Sequence, residues 1–449
     1  MSIGNLKDSG NQGNNFPWQL KMLQGLEAIV NGLNSITVNF PTTPVNVQLP
    51  ITSTDAFGRQ RVSEPYTLFD SSHRYGDNGL WATSTSNGSA TFNANQGLVD
   101  LAINTNTASY VKRETYKVFS YQPGKSLLLL NTFVMEFFGP SSLIQRVGYY
   151  GDKNGFYFER SNNKNYFVKR SNVSGAVVNT PVVQNDWNYD RLDGNGPSGI
   201  TLDISKAQIL WTDMEWLGVG SVRMGFVING EFILCHTFQH ANIINSTYIT
   251  TACLPLTYEI IFPGGIAFGT TPTLKQICSS VITEGGYELR GYSKTIGIPI
   301  TTPRTLSAAG TYYPIISIRL KSTNLDGIVI PTGLSILPQD SGNYAFQLIS
   351  GGATSGGAWI DAGSDSSVEY NITGSSFTGG TIEQMGYFAQ TNQGKTPIAE
   401  GKDSFFQYQL QRNSFTSTAL EFTLVVAAET VGGGGNQVWA ALDWQEISR

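Results

Sequence analysis

Beyond residue 34, no stretch of this chain repeats apolar residues at the three- and four-residue spacing of a helix, so strand pairing must satisfy most of its backbone. Short apolar runs instead alternate with tight-turn signals. Asn229-Gly230 separates Val222–Ile228 from Glu231–His236, and Asn154-Gly155 separates Val147–Tyr150 from Phe156–Arg160. Asn and Gly enter the left-handed backbone region that a two-residue antiparallel hairpin requires. Ser161–Lys164 turns the chain once more into Asn165–Arg170. With no credible helix between the strands, βαβ units are excluded. The expected fold is mainly β, with antiparallel sandwich or jelly-roll domains in series.

Composition agrees and narrows the function. Charged residues make up 14% of the 449 positions, against about 25% in an average soluble domain. Aromatics reach 12%, and there are 49 glycines. The balance of 28 Lys+Arg against 33 Asp+Glu gives −5. No nucleic-acid partner bound by bulk charge is therefore expected. Pro299, Pro303 and Thr301-Thr302 mark an internal boundary, giving expected units of 1–50, a large β-sandwich over 51–298 and a smaller one over 299–449. At the end, Gly432–Gly435 is expected to form a hairpin between Leu420–Val426 and Gln437–Trp444.

The one helical signal spans residues 16–34, with Pro17 placed to occupy the first turn. Trp18, Met22, Leu26, Ile29 and Leu33 follow one another at spacings of three or four, and Leu23 and Val30 widen the stripe. A helix this short is marginal alone, so the stripe is expected to pack on another body or on copies of itself. Pro41, Pro44 and Pro50 then predict an extended arm. These seven apolar residues are the expected oligomerisation and anchoring contacts. A trimer is the expected state, because short apolar helices beside β domains suit a threefold spike.

Cys235, Cys253 and Cys278 are too few for a disulfide framework or a paired zinc motif, and no run of about eighteen apolar residues occurs. The start lacks the charge and apolar pattern of a secretory signal. Synthesis in a cytosol and no membrane span are expected.

Constellations able to carry chemistry are few. Asp213 and Glu215 share one face of a strand, with Trp211 beside them and Met214 and Trp216 opposite. Paired carboxylates on a β-sandwich are what a glycosidase uses, although a solvated strand face is the expected reading here. His236 and His240 are expected to hydrogen-bond at a strand end, since no Glu completes a metalloprotease motif. Asp190–Pro197 concentrates oxygen ligands as a calcium loop does, but its spacing predicts an Asx-stabilised turn. No phosphate loop, dinucleotide fingerprint or nucleophile triad appears. Neither a catalytic site nor a cofactor or metal is expected. Tyr, Trp and Asn are abundant enough to stack on sugar rings, so a cell-surface glycan is a candidate partner.

Asn14–Leu20 with its short helix, the segment Thr54-Asp55-Ala56-Phe57-Gly58-Arg59-Gln60-Arg61-Val62-Ser63, and Gly194–Asp203 continuing through Glu215–Phe226, His236, His240–Asn242 and Leu254-Pro255 resemble virion structural proteins of tailed bacteriophages. The resemblance spans roughly residues 10–290 and leaves the last 150 or so uncovered. It implies a spike, fibre or decorating subunit in the virion, made in the host cytoplasm. An N-terminal segment would join other virion proteins, and β domains would project as a homo-oligomer.

Overall fold

The expected terminal helix forms over Pro17–Asn34 and is named α1. The computed structural model describes residues 17–34, 53–56, 58–104, 106–136, 142–264, 271–286, 290–390 and 408–448, so the proline arm lies outside the described residues. The helix belongs to a compact unit of its own, Met1–Leu49, and all the strands belong to a second unit, Pro50–Arg449.

Within the second unit the strands form two sandwich-like domains. In the first, an eight-stranded sheet runs in the order Glu231–Phe238, Val222–Ile228, Gln208–Met214, Leu127–Val134, Thr273–Glu284, Leu98–Ile103 and Gly88–Asn93, with Pro65–Ser72 paired to the far half of Thr273–Glu284. A seven-stranded sheet runs Val178–Val183, Lys164–Ser171, Gly155–Ser161, Ile144–Tyr150, Leu256–Phe262, Ser109–Thr115 and Trp81–Ser86. Their shared core is largely aromatic. Phe133 and Phe226 of one sheet lie 5.9 and 5.3 Å, centroid to centroid, from Phe158 of the other, and Trp187 stacks on Phe167 at 4.3 Å.

The turn chemistry places the hairpins. Asn229 and Gly230 have φ of 54° and 82°, and Asn162 and Asn163 have 50° and 57°, as two-residue turns of the primed type require. At Asn154-Gly155 the turn sits earlier than the dipeptide implied. Gly155 already pairs with Tyr150, at φ 141°, and a Cβ there would stand 2.3 Å from the Tyr150 Cα.

In the second sandwich, a six-stranded sheet runs Ile360–Asp361, Val368–Asn371, Tyr313–Leu320, Phe422–Ala428, Gly342–Ser350 and Thr381–Gln390. Opposite it, Asn436–Ser448 pairs with Tyr292–Gly297, Arg304–Leu306 and Ile328–Pro338. Trp444, Leu442, Ile316, Phe346 and Leu424 fill a separate core. The expected glycine hairpin is not there. Phe422–Ala428 is central in its sheet, with both edges taken by Tyr313–Leu320 and Gly342–Ser350, so Gly432–Gly435 carries the chain across to the other sheet. Polar contacts join the two sandwiches: Ser414 donates to the Thr115 carbonyl and Gln409 to the Ser120 hydroxyl.

Phe158 is fully buried between the sheets. Phe158→Ala should cost about 3–5 kcal/mol in denaturant unfolding of the first sandwich, and a loss below about 1 kcal/mol would show that this ring does not bridge the sheets.

Candidate functional site

The strand alternation around Asp213 and Glu215 is as expected, but their environment is not. Leu210 and Met214 face the core, whereas Trp211, Asp213 and Glu215 lie on the outer face. That face is covered: Asp213 is 1% exposed and Glu215 is 0% exposed. The solvated strand face is therefore corrected to a buried one. Its lid is the segment containing Asp55 to Arg61.

This lid is a miniature hairpin. Thr54 and Gln60 form a bridge, Gly58 donates its amide to the Asp55 carbonyl, and Gly58 sits at φ 80°, where glycine avoids a steric penalty. Asp55 accepts the Arg59 amide at 2.7 Å and the Arg59 Nε at 2.6 Å. The two arginines then point at the sheet. Arg59 Nη2 reaches Glu215 at 2.8 Å, and Arg61 Nη2 reaches Asp213 at 2.7 Å. Arg61 also lies 3.3 Å from Glu284, and Arg223 pairs with Asp213 from the neighbouring strand. Side chains more than 150 residues apart thus hold the lid down.

Four carboxylates, Asp55, Asp213, Glu215 and Glu284, face three guanidiniums, Arg59, Arg61 and Arg223. One negative charge is left over. Burial, and then the Asp55 carboxylate, push the Glu215 carboxyl up to about 8 against the pull of Arg59, so Glu215 keeps a proton at neutral pH. Oxygens of Asp55, Glu215 and Glu284 lie within 4.8 Å of one another, a spacing that suits a metal ion. The Arg59 guanidinium already contacts all three, at 2.6, 2.8 and 3.9 Å, and stands where a cation would. Beside the cluster, a pocket of about 340 Å³ is lined in part by Trp211, Phe232 and Leu128.

The other motifs separate. His236 Nδ1 accepts the Asn188 amide, whereas the His240 ring hydrogen-bonds the Gly220 carbonyl and stacks on Tyr248. Burial lowers both histidines to about 4, and neither belongs to the acidic cluster. Asp190 accepts the Leu192 and Ser198 amides, and Asp193 accepts the Asn195 amide. The loop's backbone thereby occupies its carboxylates. Cys235, Cys253 and Cys278 are free thiols.

On α1, Met22 is 61% exposed and Ile29 60%, and Leu23, Leu26 and Val30 are also exposed. The side chains of Trp18 and Leu33 lie outside the described residues. None of the described helices is long and apolar enough to cross a membrane.

Sequence reasoning missed a cleft of about 590 Å³ between the two sandwiches. Tyr121, Trp216 and Asp152 come to it from the first sandwich, and Asp326 and Arg412 from the second. In the sequence, Trp216 stands out only as a residue on the face opposite Glu215. Tyr121, Asp152 and Asp326 sit outside the strands and Arg412 in a two-residue strand, so no local spacing links them.

No family model matches the chain, and no curated protein matches its sequence. Among solved structures, the carbohydrate recognition domain of Emp47p is similar at 10% identity and TM-score 0.29, over 45% of this chain and 88% of that one. A CBM2 module of the evolved Dit protein of Lactobacillus casei BL23 phage J-1 is similar at 8% and 0.32, over 50% and 99%. The carbohydrate esterase of Shiga toxin-encoding bacteriophage phi24B is similar at 11% and 0.29, over 49% and 100%. Likenesses this distant carry no inference about what this chain binds or does.

The raised Glu215 carboxyl fixes the sign of a pH effect. Its contribution to stability is complete below the ordinary value of 4.5 and is lost as pH rises to about 8, because the folded state holds the proton more tightly. Denaturant midpoints from pH 5 to 9 should fall less steeply for Glu215→Gln than for the unaltered chain. Parallel curves would contradict this assignment.

Proposed function

We propose that this chain is a non-catalytic structural component of a bacteriophage particle, made in the host cytoplasm. Its N-terminal helix joins sibling chains and other particle proteins, and its β-sandwiches are presented for adhesion. The observation that carries this reading is the apolar stripe of α1, exposed at Met22, Leu23, Leu26, Ile29 and Val30. An eighteen-residue helix gains little stability alone in water, so burial of this stripe against a partner is what gives the helix a reason to persist. A trimer is the assembly we favour, since three such stripes bury one another around a single axis.

Adhesion to carbohydrate is supported by the aromatic-lined cleft between the sandwiches. A glycan-degrading role has less support. Asp213 and Glu215 are each bonded to guanidiniums, an arrangement that suits fastening a lid better than attacking a glycosidic bond. No cofactor enters this reading.

Burying a Leu or Ile side chain contributes about 1.5–3 kcal/mol, so Leu26→Asp combined with Ile29→Asp should weaken association by about a hundredfold or more. Mass photometry should then report monomers, and an unchanged oligomer would overturn the role of α1. Deleting residues 1–50 should abolish particle incorporation while the sandwiches still unfold cooperatively. Incubation with host polysaccharide should release no new reducing ends from the unaltered protein. Release that disappears in Asp213→Ala, Glu215→Ala would establish an enzyme instead.

A further inference from the structure

The geometry points to the inter-sandwich cleft as the seat of a neutral carbohydrate ring, an inference that rests on the adhesion reading above and gives it a place. The volume, about 590 Å³, falls in the range of roughly 300–1,000 Å³ typical of small-molecule sites. Trp216 is partly exposed there and meets Tyr121 edge to face, with centroids 6.2 Å apart and planes at 89°. Together they offer an apolar surface against which the C–H face of a sugar packs.

The polar wall is already fixed before any ligand arrives. Arg412 Nε holds Asp326 Oδ1 at 2.9 Å, and its Nη2 holds the Cys253 carbonyl at 3.1 Å. Asp326 and Arg412 are both half-buried and line the cleft, so the ion pair presents an acceptor and a donor to it. An acceptor and a donor held by one ion pair suit the hydroxyls of a sugar, and locking them in advance removes ordering cost on binding. On the first sandwich, Lys112 holds one oxygen of the exposed Asp152 at 2.8 Å.

A second observation points to a hydrogen-bonding occupant. Tyr121 is 4% exposed with its hydroxyl turned toward the backbone amides of Trp216, Gly124 and Leu217, and the buried indole N–H of Trp216 beside it has no partner among the described residues. An unpaired buried donor is costly, a penalty that a polyhydroxyl ligand drawn against it relieves. Charge selects against polyanions. Glu114, Asp152 and Asp326 stand against Lys153 and Arg412, with Lys112 paired to Glu114 and Asp152, so the cleft holds no excess of positive charge to draw a phosphate.

A second aromatic groove, with Tyr344, Phe388 and the exposed Tyr387, provides an internal control. The full chain is applied to an array of neutral hexose oligosaccharides, and the strongest binder is carried into calorimetry with Trp216→Ala, Asp326→Asn and Tyr387→Ala. Trp216→Ala and Asp326→Asn should each weaken binding about tenfold or more, and Tyr387→Ala should leave it unchanged. Trp216 also packs on the core, so Asp326→Asn, which keeps the side-chain shape, decides the matter if Trp216→Ala fails to fold. Equal binding by the unaltered chain and Asp326→Asn overturns the cleft while adhesion stands. No binding by the unaltered chain overturns both.

Discussion

The pairing of one strand, Thr273–Glu284, organises the larger sandwich. Along one edge it pairs first with Leu98–Ile103 and then with Pro65–Ser72, and along the other with Leu127–Val134. Its partners precede it by roughly 140 to 220 residues, so the sheet is built from non-local pairings that close long loops. The same register sets Glu284 at the strand's end opposite Pro65, near the lid hairpin. Placement of the charge cluster is thus a consequence of sheet pairing rather than of local sequence.

Once that register is set, the scarcity of charge takes on a specific meaning. With 14% charged residues, the chain still gathers seven of them at one spot on the outer sheet face. Removing one partner there would leave a buried charge exposed to a low dielectric, which is the costly case. The cluster fastens residues 53–61 to the sheet, and residues 1–49 form a separate compact unit.

Much of the fold was legible because hairpin chemistry is local. Asn229-Gly230 and Asn162-Asn163 specify their turns through backbone conformations that few residues tolerate. The Gly432–Gly435 crossing was not legible, because which sheet has a free edge depends on strands more than 70 residues earlier. At the site, alternation correctly put Asp213 and Glu215 on one face. What covers that face came from Arg59 and Arg61, in the very segment that carried the resemblance to virion proteins, yet nothing in either segment alone announces the match. The cleft was wholly hidden, since Tyr121, Asp326 and Arg412 meet only after both sandwiches have formed.

The central claim is that α1 exists to be covered. Amide hydrogen exchange over residues 21–32, followed from nanomolar to high micromolar protein, tests it most directly. The account predicts fast exchange in the dilute monomer and protection that grows with concentration as the stripe is buried between copies. Exchange that stays equally fast at every concentration would contradict it.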